Sequence, residues 1–326
     1  MTAISRAFNA LPAVIRGPIW MILGGLSLIL LAIVIRHLQN RYHVLEMIFL
    51  RSVVSLLLIL PWAVRQHRAE LTTRRLPLHI FRNSIHYLGN IGWFIGVITV
   101  SLADLQALQF TVPLFTIIMA AIFLRESVGS HRWIATALGF IGALVIIRPG
   151  IIEIGIGTIA VVLSAMFYAA SQTSTKSLSR TDTPNAILLY MALIFVPISA
   201  IPVFIPLSVF QTVFPPWVIT TFFPLITSAD TILWVTPSWD DALPVVLLGV
   251  FGYLAHACII RSFATADASF VMPFDFLRLP FAALFGFVLY QEIPEIWVWI
   301  GATIIFFATY YITWRENRLR QQRSDT

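Results

Sequence analysis

Long apolar runs separated by short polar turns dominate the chain. Each run is close to the roughly 20 residues that an α-helix needs to cross the hydrocarbon core of a bilayer. The pattern predicts an all-α integral membrane protein with ten transmembrane helices. The predicted helices cover residues 18–37, 44–64, 80–100, 102–124, 131–148, 154–176, 185–206, 242–265, 267–290 and 295–314.

The second half of the chain repeats a pattern found in the first half. An isolated helix pair would have no reason to recur with its acidic turn and its tryptophan in place. The matching pairs are Phe115 and Phe281, Glu126 and Glu292, Trp133 and Trp299, Ile134 and Ile300, and Phe140 and Phe306. We predict two halves of five helices each, residues 18–149 and 154–314, between an N-terminal segment 1–17 and a C-terminal tail 315–326.

The odd number of helices in each half predicts that the two halves insert with opposite orientation. With the N-terminus in the cytoplasm, the inner turns collect most of the basic residues, as the positive-inside rule requires. Both termini are therefore predicted to be cytoplasmic. Arg36, Arg41 and Arg148 fall on the outer side as exceptions. Within the second half, residues 207–241 contain short apolar runs broken by proline, which favours an outer interfacial or re-entrant segment over an additional span.

Composition excludes a soluble protein. Hydrophobic residues make up 59% of the chain, charged residues make up 11%, and the mean hydropathy is +0.87. The net charge of +6 arises mostly from bases in short turns, where they orient helices, so nucleic-acid binding is not expected. Cys258 is the single cysteine, which rules out an intrachain disulfide. Neither His86 nor His256 has a second histidine or a cysteine at metal-binding spacing, and neither a metal nor a cofactor is predicted.

Several predicted helices carry a polar face. Because an unpaired polar group is costly in hydrocarbon, such faces normally point to the protein interior or to a wet cavity. A substrate cavity is one interpretation, and hydrogen bonding between neighbouring helices is the other. The candidate substrate-binding residues on these faces are His86, Tyr87, Asn90, Trp93, Gln106, Gln109, Tyr168, Gln172, Tyr253 and His256.

The ninth predicted helix contains an acid and a base between Pro273 and Pro280. Asp275 and Arg278 are three residues apart, so they can form a self-neutralised structural pair. The alternative is that a polar substrate competes for one of the charges, since ionisable groups inside a membrane are functional candidates. Phe274, Asp275 and Arg278 therefore join the candidate substrate-binding residues.

A second group of residues is predicted to act in structure or gating. Arg51 is expected to pair with Glu46 or to extend to the outer membrane surface. Gly92 and Gly96 have the GxxxG spacing that lets two helices approach closely. Pro113 predicts a kink beside a cavity, because it removes a backbone donor. The remaining members are Glu126 and Glu292 in the matching turns and the prolines Pro273 and Pro280.

Two stretches of the chain resemble a known repeat. ADLQALQFTVPLFTIIMAAIFLRE, followed by ALGFIGALVIIRPG, resembles the EamA-type repeat of the drug/metabolite transporter superfamily, and RSFATADASFVMPFDFLRLPFAALFGFVLYQEIP is similar to it. The resemblance implies ten helices in two inverted repeats around a central cavity, in the inner membrane of a bacterium. It further implies a permease that moves a small polar or amphipathic metabolite by alternating access. S-adenosylmethionine, riboflavin and amino acids are candidate substrates, for uptake or export.

Other functions and partners stay open from the sequence. Proton coupling through Asp275, Asp104 or Asp267 is a hypothesis, and so is a homodimer. An intramembrane lipid-modifying enzyme would need clustered carboxylates or histidines, whereas the acids and histidines here are scattered. A passive channel or scaffold is a second alternative. No GxxxxGK[ST] pattern occurs, so coupling to ATP hydrolysis is not expected.

Overall fold

The computed structural model describes residues 12–65, 71–123, 130–148, 155–178, 181–205, 234–265, 274–275 and 277–324. The residues in these ranges are helical or irregular, with no β-strand among them. The helices are α1 Ala13–Leu38, α2 Val44–Arg65, α3 Leu76–Thr99, α4 Leu102–Gln109, α5 Val112–Phe123, α6 Ser130–Ile147, α7 Ile156–Leu178, α8 Pro184–Phe204, α9 Ala242–Thr265, α10 Arg278–Tyr290 and α11 Ile296–Ser324. A short 3-10 helix, Trp239–Asp241, precedes α9.

The predicted all-α class is confirmed, and the protein is a multi-pass membrane protein. Within the described ranges, five helices are long and apolar enough to cross a bilayer by themselves: Ile15–Leu38, Val44–Arg65, Ile156–Thr175, Pro184–Phe204 and Trp239–Ser262. Ala137–Ile147, Arg278–Tyr290 and Ile296–Ala308 are shorter apolar helices. A total of ten spans stays a prediction. The turn residue Glu126, the proline Pro273 and most of the 207–241 segment lie outside the described residues.

The fourth predicted helix is divided into α4 and α5. At the break, the amide groups of Phe110 and Thr111 donate to Ala107 O and Leu108 O at 3.2 and 3.0 Å, which are the tighter bonds of a helix end. Pro113 follows directly and has no N–H with which to continue the helical ladder from α4. The Thr111 hydroxyl also donates to Leu108 O at 2.7 Å, so this carbonyl group accepts two hydrogen bonds at the break.

The largest helix contacts join a helix that precedes residue 149 to one that follows residue 154. α1 packs against α9, α3 against α7, α2 against α8 and α6 against α11, while α4 packs against α10. Relative to the two predicted halves, the first helix of each half packs on the third helix of the other. The second, fourth and fifth helices pack on their own counterparts. The core therefore lies between the two parts of the chain.

Close packing of α3 on α7 depends on glycine. A Cβ added at Gly92 would lie 2.5 Å from the backbone oxygen of Ala160, and one at Gly96 would overlap the side chain of Val161. The small-residue spacing of α3 thus brings its backbone against that of α7.

Large apolar side chains cover the outside of the bundle. Leu57, Ile141, Leu144, Phe287 and Val288 each expose about half or more of their surface. Side chains of this kind on the outer surface are expected where lipid tails surround the protein. This arrangement agrees with a protein that is folded in a membrane.

Candidate functional site

α3 carries a row of buried polar side chains through the bundle. Arg82, Asn83, His86, Tyr87 and Asn90 are all less than a tenth exposed. Apolar helices normally exclude such groups from the interior, because each must find a partner there. The row therefore marks the part of the bundle interior where polar side chains are concentrated.

His86 is the residue at which four helices meet. Its Nδ1 atom lies 3.1 Å from the hydroxyl oxygen of Ser171 on α7. Its ring centroid lies 4.9 Å from that of Tyr168, 5.6 Å from that of Phe195 and 5.2 Å from that of His256. We call the group formed by Arg51, Arg82, His86, Tyr168, Phe195 and His256 the His86 cluster. The predicted residues His86, Tyr168 and His256 are thus brought together, and aromatic rings surround them.

Two arginines give the His86 cluster a positive charge. The Arg82 guanidinium donates from Nε to the Thr175 hydroxyl at 2.9 Å and from Nη1 to Asn83 Oδ1 at 2.8 Å, and both acceptors are neutral. The Arg51 guanidinium carbon lies 5.5 Å from the ring centroid of Phe94 and 6.0 Å from that of Phe195. Each arginine is only 4% exposed. Among the described residues, neither arginine has a carboxylate within ion-pair distance.

The position of Arg51 differs from both sequence expectations. Arg51 is buried and so does not extend to the membrane surface, and the Oε1 atom of Glu46 instead accepts from the amide of Val235 at 2.8 Å. The reason is the packing of α2 on α9, where Gly252 leaves space for the arginine stem. A Cβ at residue 252 would lie 2.8 Å from Arg51 Cδ.

α4 contributes two buried amide side chains. Gln109 donates to the Ser164 hydroxyl at 2.7 Å and to Val161 O at 3.3 Å, which ties α4 to α7. Gln106 is 1% exposed, and within the described part of the chain neither its oxygen nor its nitrogen has a hydrogen-bond partner. Gln106 lies between Leu102, which meets Gly286 of α10, and Phe110, which meets Arg278 of α10. Its free amide therefore belongs to the contact between α4 and α10.

Asp275 and Arg278 form an ion pair with each other. The Nη2 atom of Arg278 lies 3.3 Å from Oδ2 of Asp275, and its guanidinium carbon lies 5.1 Å from the ring centroid of Phe110. Pro280 is in the first turn of α10, where a missing N–H is tolerated. The two side chains therefore have the geometry that a self-neutralised structural pair requires.

The remaining candidates lie in varied surroundings. The Asn90 amide donates to His86 O at 2.9 Å, and the Trp93 ring packs edge-on against Phe94. Tyr87 is buried, and its ring centroid lies 6.1 Å from that of Phe195. Tyr253 packs against a separate apolar cluster that includes Ile59. Phe274 is partly buried, and Gln172 is exposed, so Gln172 does not share the interior position of Tyr168.

Sequence reasoning missed Arg82 and Phe195. An arginine near the start of a spanning helix normally extends to the membrane surface, so the position of Arg82 in the sequence does not predict its burial. The available signal was its place in the apolar run that begins at residue 80, next to Asn83. Phe195 gave no signal, because a phenylalanine in an apolar helix is usual.

Ion pairs close one end of the bundle, which we call the Arg36 end. Arg36 donates from Nη1 to Glu292 Oε1 at 2.6 Å, from Nε to Val97 O at 2.7 Å and from Nη2 to Val100 O at 2.5 Å. Glu292 Oε2 accepts from the amide of Leu102 at 2.9 Å. Arg36 thus satisfies carbonyl groups at the end of α3, and Glu292 satisfies the start of α4.

Two further ion pairs lie at the Arg36 end. Arg41 Nη1 contacts Asp241 Oδ1 at 2.5 Å, and Asp241 Oδ2 accepts from the Tyr42 hydroxyl at 2.9 Å. Arg148 pairs with Glu295. The three arginines that were exceptions to the positive-inside rule therefore each have a carboxylate partner. Each of these pairs joins a residue before position 149 to a residue after position 154.

The opposite end is held by Asp182. Its Oδ2 atom accepts from the Thr73 hydroxyl at 2.9 Å and lies 2.8 Å from His79 Nε2. The side chains of His79 and Asp182 are 0% and 5% exposed. This contact is therefore more buried than the ion pairs of the Arg36 end.

The described residues contain no group of three or more His, Cys, Asp or Glu side chains that is suited to a metal ion. An apolar groove of about 580 Å³ lies between α6 and α11, and its lining includes Leu138, Phe307 and Trp314. None of the candidate site residues contributes to this groove. Its apolar lining and outer position are those of a surface in contact with lipid.

A family model and several characterised proteins match the chain. The model of the EamA-like transporter family matches residues 15–148. The riboflavin transporter of Rhizobium johnstonii is 30% identical over 325 residues, which are 99% of this chain and 98% of the relative. The riboflavin transporter of Vibrio cholerae is 28% identical over 95% of this chain and 97% of the relative. The S-adenosylmethionine uptake transporter of Rickettsia felis is 25% identical, over 98% and 99% respectively.

A solved crystal structure has a similar fold. Its TM-score is 0.59 at 15% sequence identity, and the match covers 94% of this chain and 98% of the other. At this identity the similarity concerns the fold alone. The fold extends through nearly the whole chain, including the part that follows the region matched by the family model.

Proposed function

The chain belongs to the EamA-like transporter family, within the drug/metabolite transporter superfamily, and we propose that its substrate is a flavin such as riboflavin. It is a membrane transporter of a small metabolite. The relatives that suggest the substrate are the riboflavin transporters, which match nearly the full length of this chain at 28% and 30% identity. The relatives are transporters, so an intramembrane enzyme or a passive channel is not favoured.

The observation that carries the flavin proposal is the combination of rings and buried cations in the His86 cluster. Riboflavin is uncharged at neutral pH, and its planar three-ring system has a carbonyl-rich edge. The rings of Tyr168, Phe195 and His256 each lie within about 6 Å of the His86 ring, and these aromatic side chains suit a planar ligand. The guanidinium groups supply hydrogen-bond donors for carbonyl oxygens.

S-adenosylmethionine is the second candidate, because the Rickettsia relatives also match nearly the full length of the chain. Its sulfonium group is a permanent cation. In a buried site the two guanidinium groups would repel this cation, and repulsion is strong where water does not screen it. The carboxylate of Asp275 could attract a cation, but it is already paired with Arg278. The charge of the site therefore favours the flavin.

The proposed mechanism is alternating access between two inverted halves of five helices each. Two packing contacts support this proposal. The first helix of the first half, α1, packs on the third helix of the second half, α9, and the first helix of the second half, α7, packs on the third helix of the first half, α3. We place the protein in the bacterial inner membrane with both termini in the cytoplasm, as the distribution of basic residues favours. Proton coupling and a homodimer remain part of the proposal.

Solute counterflow in proteoliposomes tests the identity of the substrate, and it does not require the direction of transport to be known. Vesicles are loaded with excess unlabelled riboflavin, and labelled riboflavin is added outside. We expect transient accumulation of the label that saturates with concentration, no accumulation in protein-free vesicles, and no chemical change in the flavin. Counterflow with S-adenosylmethionine and none with riboflavin would contradict the proposal. Flux that does not saturate would favour a channel, and a new product would favour an enzyme.

A further inference from the structure

We propose that Arg51 and Arg82 form a cationic subsite that binds the carbonyl-rich or anionic edge of a planar substrate and rejects cations. The inference rests on the proposed function, which it deepens by assigning the residues that select the substrate by charge. Sequence reasoning placed Arg51 in a structural or gating role and did not include Arg82. The subsite belongs to the His86 cluster, where α2, α3, α7, α8 and α9 meet.

The first argument is the absence of compensating negative charge. A buried cation needs a counter-charge or full hydrogen bonding, because it loses its hydration in the interior. Arg51 and Arg82 are each 4% exposed, and no carboxylate in the described ranges pairs with either. An anionic or carbonyl-rich ligand would supply the missing acceptors. Binding would therefore stabilise a site that is otherwise electrostatically unfavourable.

The second argument is the number of donors that remain. A guanidinium group has five N–H donors. Arg82 uses two of its nitrogen atoms for the Thr175 hydroxyl and the Asn83 side chain. No hydrogen bond from Arg51 to a residue in the described part of the chain is present, and its guanidinium contacts the faces of Phe94 and Phe195 instead. Most of the donor capacity of the two arginines is thus available to a ligand.

Arg36 and Arg278, two other arginines near the interface between the halves, each have a carboxylate partner. Arg36 donates to Glu292, Val97 O and Val100 O, so each of its three nitrogen atoms has an acceptor. Arg278 is paired with Asp275. These two side chains serve as internal comparisons, because the fold gives them a counter-charge. Arg51 and Arg82 have none among the residues that the structure describes, and this difference favours a ligand-binding role over a structural role.

Gly252 positions the subsite. The Arg51 stem lies against this glycine, and a Cβ at residue 252 would lie 2.8 Å from Arg51 Cδ and 3.0 Å from Arg51 Cγ. Both distances are too short for ordinary carbon contacts. Gly252→Ala should therefore displace the guanidinium group while leaving its charge in place. This variant separates the position of the cation from its presence.

The test measures dissociation constants of purified protein in detergent for three probes. The probes are riboflavin, which is neutral, flavin mononucleotide, which is a dianion, and S-adenosylmethionine, which carries the sulfonium cation. The variants are Arg51→Gln, Arg82→Gln and Gly252→Ala. The control is Arg75→Gln, since Arg75 bonds Ser177 near the Asp182 end and lies outside the cluster. Thermal unfolding without ligand establishes that each variant is folded.

We expect Arg51→Gln and Arg82→Gln each to raise the dissociation constant for riboflavin about tenfold or more, as loss of a hydrogen bond to a charged group does. The increase for flavin mononucleotide should be at least as large, while S-adenosylmethionine should bind more tightly than to the wild type. Gly252→Ala should weaken flavin binding without improving S-adenosylmethionine binding, because the charge remains. The control should bind all three probes like the wild type.

The outcomes separate the subsite from the proposed function. If riboflavin binds the wild type and both glutamine variants within about twofold, with S-adenosylmethionine unchanged, the flavin proposal stands and the subsite is wrong. If the wild type binds no flavin, the proposed function is wrong. In that case the subsite is also wrong if the wild type binds S-adenosylmethionine more tightly than the Arg51→Gln variant does. If the glutamine variants do not fold, Gly252→Ala decides: unchanged flavin binding contradicts the subsite.

Discussion

The Nη1 atom of Arg36 lies 2.6 Å from Oε1 of Glu292, and this pair joins α1 to the turn between α10 and α11. Both partners also bond backbone groups, Arg36 at the end of α3 and Glu292 at the start of α4. One ion pair therefore connects α1, the end of α3 and the start of α4 to the turn between α10 and α11. Glu292 is one of the residues that the repeat comparison singles out, and we propose a structural role for it.

Replacement of Glu292 by Gln tests this role. The change removes the counter-charge of Arg36, whose side chain is 8% exposed, and we expect the unfolding free energy to fall by about 2 kcal/mol. Glu295→Gln is the matched control, because Glu295 is 57% exposed and its pair with Arg148 should contribute little. Thermal unfolding in detergent measures both changes. Equal losses in the two variants would contradict a special role for Glu292.

The contact between α3 and α7 gives a second prediction. Gly92→Ala should lower the unfolding free energy by about 1–3 kcal/mol, because the added methyl group meets the backbone oxygen of Ala160, which cannot move aside easily. Gly155→Ala serves as the control, since a Cβ at Gly155 meets no atom within 4 Å. Denaturation of both variants under the same conditions is the measurement. A neutral Gly92→Ala would mean that the two helices do not pack in this way.

Tyr42 predicts a dependence of stability on pH. Burial, and then the hydrogen bond to Asp241, raise the pKa of the Tyr42 phenol above its ordinary value of 10.0. The protonated phenol is favoured in the folded state, so its contribution to stability is complete below pH 10 and is lost as the pH rises through the pKa of the folded state. We expect the melting temperature of the wild type to fall more than that of Tyr42→Phe above pH 10. Parallel curves would contradict this assignment.

The Asp275 and Arg278 pair gives a fourth prediction. Arg278→Ala should abolish transport and lower stability, because it leaves the Asp275 carboxylate without its partner. The double variant Asp275→Leu, Arg278→Leu should recover stability and part of the transport if the pair is a neutral structural unit. Counterflow and thermal unfolding are measured on the same preparations. Recovery of stability without recovery of transport would indicate that the charges contact the substrate.

The helices could be predicted from the sequence because apolar length is a local property. The predicted run 242–265 coincides with Ala242–Thr265, and the predicted run 185–206 differs from Pro184–Phe204 by a few residues. Pro113, which removes a donor, predicts a kink in the fourth helix, whereas the structure has a break there between α4 and α5. The break lies at Phe110 and Thr111 because the helical hydrogen bonds are interrupted there. Which turn is interrupted depends on the three-dimensional packing.

The partners of the charged residues could not be predicted. Arg36 and Glu292 are 256 positions apart, and Arg41 and Asp241 are 200 apart. Contacts over such separations depend on how helices pack, which the pattern of a single helix does not contain. For the same reason the sequence places Arg51 beside Glu46 or at the outer membrane surface, whereas in the structure its stem lies against Gly252 on α9. The polar residues of α3 were recognisable, but their assembly around His86 was not.

The unequal burial of contacts at the two ends has a consequence for exchange across the membrane. At the Arg36 end, Arg41 is 60% exposed and Glu295 is 57% exposed, whereas His79 and Asp182 at the other end are nearly inaccessible to water. Dissolved ions weaken attraction between accessible charges far more than between enclosed ones. We therefore expect salt added to the compartment that the Arg36 end faces to weaken its ion pairs and to ease the opening of that end. The same addition on the opposite side should leave the turnover rate nearly unchanged.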